Sequence, residues 1–209
     1  MTPTLFLAIT VNLFLIVDPV GCIPLFAAIT RKNPPEVRRR MVRRAIVIAF
    51  LVLAFFAIVG KSVLSYFGVG IASVRIAGGI LLFGIGMEML YGRISRTETT
   101  EPEEVEAAEK SDVSITPLAI PLLAGPGSIA GIILFAGTVE GSLGVGLLLI
   151  AAAFVMLMSW IVLSTTDALI RIFGQIGIKV IARVMGLLLL FVATQFVLDG
   201  LKSAGILGP

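Results

Sequence analysis

Residues 13–26 read LFLIVDPVGCIPLF, an apolar run broken in its middle by Asp18, Pro19 and Gly21, with Pro24 close behind. Residues 122–130 read LLAGPGSIA, where Gly125, Pro126, Gly127 and Ser128 break a second apolar run in the same manner. Proline inside a helix removes one hydrogen bond and clashes with the carbonyl one turn back, at a cost of about 3 kcal/mol, and adjacent glycines weaken the helix further. The freed backbone groups then need polar partners. In hydrocarbon those partners exist only within protein or along a water-lined cavity. Paired Gly/Pro interruptions in corresponding halves of a membrane chain are the sequence sign of a transporter's substrate site.

The rest of the chain sets the solvent. Of its 209 residues 58% are hydrophobic and 14% charged, and the mean hydropathy is +1.09. That leaves too little polar surface to coat a soluble domain of this length. The charges fall in a few clusters, so the stretches between them are long enough to cross a bilayer as helices of about 20 residues. A membrane barrel would need alternating apolar and polar residues over short strands, and no such alternation occurs. Six spans are predicted, over 4–30, 45–67, 71–91, 114–137, 144–166 and 184–205, the first and fourth broken. A cleavable signal peptide is not expected, because Met1 to Thr4 carry no basic residue and the apolar run continues past any cleavage point. Cys22 is the only cysteine, so intrachain disulfides and Cys-x-x-Cys sites are excluded.

Basic residues orient the chain. Segment 31–44 holds Arg31, Lys32, Arg38, Arg39, Arg40, Arg43 and Arg44 against Glu36 alone, and loops of this kind stay in the cytoplasm. Both termini are then expected outside. The same topology puts Arg93, Arg96, Lys110, Arg171, Lys179 and Arg183 inside and leaves only Lys61 and Lys202 in outer segments. Contact with anionic lipid is a second reading of the basic segment; a topology signal suffices to explain it. Residues 92–112 carry Glu98, Glu101, Glu103, Glu104, Glu106, Glu109 and Asp112 and are expected to form a solvated linker between a first unit, 1–91, and a second, 113–209.

Those units share a pattern. Arg75, Gly78, Leu81, Leu82, Phe83, Leu90 and Gly92 recur as Arg183, Gly186, Leu189, Leu190, Phe191, Leu198 and Gly200, each 108 positions later. Pro126 follows Pro19 by 107, and Phe67-Gly68 is echoed by Phe173-Gly174. Three spans per unit is an odd number, so the second copy enters the membrane from the opposite side. The predicted fold is therefore an all-α membrane protein of six transmembrane helices arranged as two inverted three-helix repeats.

Asn12, Asp18, Pro19, Gly21, Gly125, Pro126, Gly127 and Ser128 are the candidate substrate-binding residues. Half-helix N-termini offer free N–H groups to a carboxylate, while exposed carbonyls and acceptor side chains suit an ammonium or a cation. A small zwitterion carries both charges. Asp18 is the sharpest of the set, since an aspartate well inside a span costs about 3 kcal/mol on insertion scales and marks an ion or substrate path. It is the candidate ion-coupling residue, as a proton carrier or as an ionised partner for Na⁺ or a substrate ammonium; a plain helix-capping role is the structural alternative. Arg75, on a stripe with Ala72, Gly79, Leu82 and Gly86, is expected to face protein. Thr116 and Gln195 are weaker candidates. Glu88 and Asp167 are expected near the cytoplasmic interface, and Trp160 in packing or lipid contact.

Asp18, Pro19, Gly21, Pro24 and Phe26, the basic segment opening the second span, Arg75 to Phe83, and Pro117, Pro121, Gly125, Pro126 and Gly127 together resemble the MarC family of six-helix bacterial and archaeal inner-membrane proteins. The resemblance covers nearly the whole chain. It implies a multi-pass protein of the prokaryotic inner membrane and secondary transport of small neutral amino acids, glycine or alanine, driven by a proton or sodium gradient. The family's first motif often begins with Asn where Asp18 stands, so an ion-coupling role for this carboxylate rests on the chain itself. Drug or small-solute efflux and a non-transporting scaffold are the competing functions. An enzyme is not expected, because no nucleophile with its base, metal cluster or paired aspartate is in evidence. No cofactor, metal or nucleic acid partner is expected either.

Overall fold

Proline, glycine and aspartate set the helix ends. The computed structural model describes residues 3–31, 33–92, 114–139 and 141–206. Helix α1 (Pro3–Val17) stops where Asp18 takes a left-handed φ of 43° and Pro19 follows. Helix α2 (Cys22–Ile29) resumes at an angle of 43° to it. Helix α3 (Pro35–Tyr66) begins with proline at its first turn and Glu36 beside it, where the ring's fixed φ and the negative charge both suit a helix N-terminus. It ends at Gly68, φ 68°, with the Val69 N–H on the Leu64 carbonyl and the Gly68 N–H on that of Ser65. This is a Schellman cap, for which glycine is the favoured residue. Helix α4 (Ile71–Leu90) follows at once.

The second half repeats these devices with variations. A π-helical segment, Ser114–Leu123, closes with the Ala124 N–H on the Ala119 carbonyl. Pro121 has no N–H to give to an α-helical ladder there, which favours the wider register. Extended Gly125 (φ −72°, ψ 174°) separates it from α5 (Pro126–Thr138), which has proline in its first turn. Helices α6 (Gly141–Ser164) and α7 (Thr166–Ser203) complete the chain. Gly174 interrupts α7 with φ 68°, the same value as Gly68.

All elements among the described residues are helical. Four helices are long and apolar enough to cross a membrane, α3, α4, α6 and α7, and the bent pair α1–α2 makes a fifth. The span expected over 114–137 is divided between the π-helical segment and the 13-residue α5. Two expected boundaries are corrected. The basic segment is not a loop: from Pro35 it forms the first turns of α3, since the arginines are good helix formers and no breaker lies between Pro35 and Ala45. Residues 167–183 are likewise helical and belong to α7 rather than to a loop, apart from the turn at Gly174. Apart from Gly92, the acidic linker expected over 92–112 lies outside the described residues.

Side-chain size is sorted inside out. Along the uncharged stretch of α3 the buried positions are Ala45, Ala49, Leu53, Ala57 and Gly60, whereas Val47, Leu51, Phe55 and Ile58 are more than half exposed. Lipid tails are as apolar as a leucine core, so helices in a bilayer gain by close packing of small residues and leave large ones outside. The same rule joins α4 to α7, which lie antiparallel with their glycines against each other's backbone. A Cβ on Gly86 would sit 3.0 Å from the Gly186 carbonyl, one on Gly186 3.0 Å from the Gly86 carbonyl, and one on Gly79 2.8 Å from that of Ala193.

The ends of this pair are reciprocal. Arg75 on α4 packs against Gly200 and donates from Nη1 to the Ser203 hydroxyl at 2.8 Å. Arg183 on α7 packs against Gly92, just past the end of α4. Each arginine thus lies at the other helix's C-terminal turn, the end whose carbonyls favour a cation. Arg75 faces protein, as its small-residue stripe predicts.

The close approach has a measurable consequence. Gly186→Ala is expected to destabilise the protein by about 1–3 kcal/mol, because backbone on one side and Met89 Cβ at 2.7 Å on the other cannot give way. Gly84→Ala, which meets nothing within 4 Å, is expected to change stability by no more than about 0.5 kcal/mol. Denaturant unfolding in detergent checks both, and equal effects would contradict this packing.

Candidate functional site

The first break is built around the Asp18 carboxylate. Pro19 has no N–H for the Leu15 carbonyl, so the α1 ladder ends here. Asp18 turns left-handed, a conformation aspartate and asparagine tolerate better than other side-chain-bearing residues. Its N–H still reaches the Phe14 carbonyl at 3.0 Å, and its own carbonyl accepts from Cys22 at 3.2 Å. The side chain then folds forward, and Oδ1 accepts from the Gly21 N–H at 3.1 Å. That bond gives one orphan donor of the α2 terminus a partner, which is the capping role the sequence allowed. A Cβ at Gly21 would collide with this carboxylate and with Met89 Cε of α4. Asp18, Pro19 and Cys22 are all buried.

The second break presents the start of α5. The Ile129 N–H is held by the Gly125 carbonyl at 2.9 Å, while those of Gly127 and Ser128 lie in the helix's first turn, where no carbonyl one turn back can serve them. Gly125 and Gly127 are buried, Ser128 is 2% exposed, and Pro126 faces outward. A Cβ on Gly127 would meet Leu82 Cδ2 at 2.7 Å and Ile85 Cδ1 at 3.5 Å. Glycine at this point therefore lets the α5 terminus lie directly on α4.

Helix α4 is the common wall. Met89 touches the first break, and Leu82 and Ile85 touch the second. Ile16, two residues before Asp18, packs on Gly131 of α5, where a Cβ would sit 3.0 Å from Ile16 Cδ1, and it clusters with Leu82, Ile85, Leu189 and Ala193. The described structure thus brings Asp18, Pro19 and Gly21 to one end of a short apolar stripe and Gly127 to the other. Asn12 is placed differently: its Nδ2 donates to the Ala8 carbonyl of its own helix at 2.8 Å. Gln195 is also engaged within its helix, with Asp199 at 2.7 Å. Among the described residues no three His, Cys, Asp or Glu side chains gather as a metal cage requires.

Several partners had no clear sequence signal. Met89, Leu82 and Ile85 are ordinary apolar residues, and their role as walls comes only from the crossing of α4 with the two breaks. Asp167, read as an interfacial carboxylate, accepts from Arg38 Nη1 at 2.8 Å on both oxygens. The Arg38 guanidinium also lies 5.3 Å from the centre of the Phe26 ring, so it ties α2, α3 and α7 together at one end of the molecule.

Known proteins are similar to this sequence along most of its length. A UPF0056 membrane protein of Archaeoglobus fulgidus is 38% identical over 201 residues, covering 95% of this chain and 92% of that one. Another, from Methanocaldococcus jannaschii, is 37% identical over 191 residues, 91% of this chain and 84% of its own. The UPF0056 membrane protein YhcE of Escherichia coli is 33% identical over 193 residues, 92% and 90% of the two chains. No solved structure matches. The profile of the MarC family integral membrane proteins matches residues 3–205. The chain belongs to the MarC family of integral membrane proteins.

Proposed function

We propose that this protein is a secondary transporter of small neutral amino acids, glycine or alanine, driven by a proton or sodium gradient. The observation that carries the proposal is the pair of interrupted helices that lean on one face of α4, with the buried Asp18 carboxylate at the first and the first-turn N–H groups of Gly127 and Ser128, which have no helical carbonyl one turn back, at the second. Free N–H groups at a helix start suit a substrate carboxylate, and a buried carboxylate suits an ammonium or a coupling cation. The glycines at both breaks would let backbone come close to a small solute. The amino acid class is what the MarC resemblance implies.

In this reading the chain forms six spans as two inverted three-helix units, with α1–α2 and the π-helical segment with α5 as the broken members. The reciprocal contacts Arg75–Gly200 and Arg183–Gly92, and the shared φ of Gly68 and Gly174, support an antiparallel two-fold relation between the units. Rocking one unit against the other would open the breaks to each side in turn. The arginines of α3 then lie in the cytoplasm and both termini outside, in the inner membrane of a prokaryotic cell. No covalent chemistry is part of the cycle, so the protein is not an enzyme.

Purified protein in liposomes, given labelled glycine or alanine under imposed proton or sodium gradients, tests this. Uptake several-fold above empty vesicles is expected with one of the two gradients. Uptake of neither solute above the empty-vesicle rate would overturn the amino acid assignment.

Asp18→Asn isolates the carboxylate. Asparagine tolerates the left-handed backbone and keeps an oxygen for the Gly21 N–H, so the variant is expected to fold, with stability within about 1 kcal/mol of the parent. Gradient-driven accumulation is expected to fall at least tenfold while exchange across the membrane persists. Full gradient dependence in the variant would remove Asp18 from the coupling step.

A further inference from the structure

A second polar site lies at the opposite kind of place, where α3 leaves its apolar stretch. A cleft of about 490 Å³ opens between the first turns of α3 and the junction of α6 with α7. On the α3 side it is lined by Arg39, Arg40 and Arg43, with Glu36 at its rim as the one opposing charge. Spacings of three and four residues put these arginines on adjoining parts of one helix surface. Among the described residues none of the three has an ion-pair or hydrogen-bond partner, Glu36 included. Three guanidinium groups that converge on a cavity without a counter-charge call for an anion.

The other wall is polar and partly unsatisfied. Trp160 and Ser164 of α6 line the cleft, and the Ser164 hydroxyl is buried with no hydrogen-bond partner among the described residues. Thr165, next to it, already gives its hydroxyl to the Ile161 carbonyl at 2.7 Å. The Arg38–Asp167 pair beside the cleft fixes the start of α3 to the start of α7, so the walls are held in place before any ligand arrives.

Depth distinguishes between sources of the anion. The uncharged stretch of α3 starts at Ala45, so the three arginines stand roughly 3–9 Å beyond the apolar zone along the helix axis. Trp160, half exposed and flanked by exposed Leu157 and Ile161, has the amphipathic ring that settles at headgroup level. The geometry points to a binding site for the phosphate of an anionic phospholipid headgroup, held by Arg39, Arg40 and Arg43 with the Ser164 hydroxyl and stacked beside Trp160. This goes beyond a topology signal, because it requires particular arginines rather than net charge. It is also independent of the transport reading, since a chain that moved no amino acid would still bind lipid here.

Trp160 is the only tryptophan, and it lines the cleft, so no other tryptophan contributes to the signal and the comparison between lipids reads the preference at this place. The protein is placed in phosphatidylcholine vesicles that contain either brominated phosphatidylglycerol or brominated phosphatidylcholine at the same fraction. Stronger quenching by the anionic lipid is expected. Removing one charge by Arg39→Gln or Arg43→Gln is expected to lower that preference by up to about fivefold. Ser164→Val tests the hydroxyl without touching the charge that orients the chain, and should also weaken the preference. Arg171→Gln, a basic residue outside the cleft, should leave it unchanged. Equal quenching by both lipids in the parent protein would overturn the proposal. So would an Arg171→Gln effect as large as that of Arg43→Gln, because it would show diffuse attraction to the whole basic surface. A saturable Trp160 response to inorganic phosphate in phosphatidylcholine-only vesicles, equal to that with phosphatidylglycerol, would overturn the lipid assignment in favour of a soluble phosphate.

Discussion

Backbone that leaves the helical ladder inside hydrocarbon must find hydrogen-bond partners in protein or in trapped water, and the architecture of this chain follows from that requirement. The interruptions at Asp18–Gly21 and Ala124–Gly125 cannot face lipid. Helix α4 covers both, through Met89 at one and Leu82 and Ile85 at the other. It can lie this close because the contact positions are glycines. Helix α4 is in turn held by α7 through glycine-on-carbonyl contacts at Gly79, Gly86, Gly186 and Gly200. Small residues therefore serve two ends, tight helix pairing and a close wall for irregular backbone.

In the proposed transport cycle Asp18 would combine capping with ion or substrate binding. Its carboxylate accepts from Gly21, a structural duty that holds the start of α2. A carboxylate has about four lone-pair positions, and one backbone N–H uses one of them. The remainder can serve a cation or an ammonium without dismantling the cap.

Much of this was legible in the residues, and the misses have common causes. The breaks were readable because Pro19 and Pro126 cannot donate and Gly125 and Gly127 carry no Cβ. The repeated Phe-Gly pair, read as a sign of duplication, holds two glycines that share a φ of 68°. By contrast, the basic start of α3 and residues 167–183 looked like loops because charge signals solvent, yet solvent exposure does not prevent a helix: no breaker follows Pro35 before Ala45, and beyond Thr165 the turn at Gly174 interrupts the helix without ending it. The π-helical register of Ser114–Leu123 depends on how the chain relaxes around Pro121, which spacing alone does not give. The walls at Met89, Leu82 and Ile85 and the cleft beside Trp160 arise from helix crossings, and no local pattern encodes them.

Cys22 offers the most direct measurement of the central claim, that unwound backbone at the first break borders a hollow for a small polar solute. It is the only thiol of the chain, it is buried, and it follows Gly21 immediately. Its alkylation rate by a small water-soluble maleimide is measured in proteoliposomes with and without glycine or alanine. A slow but measurable reaction is expected, at a rate that changes when either amino acid is present. A thiol that stays inert throughout, or whose rate ignores both amino acids, would contradict the claim.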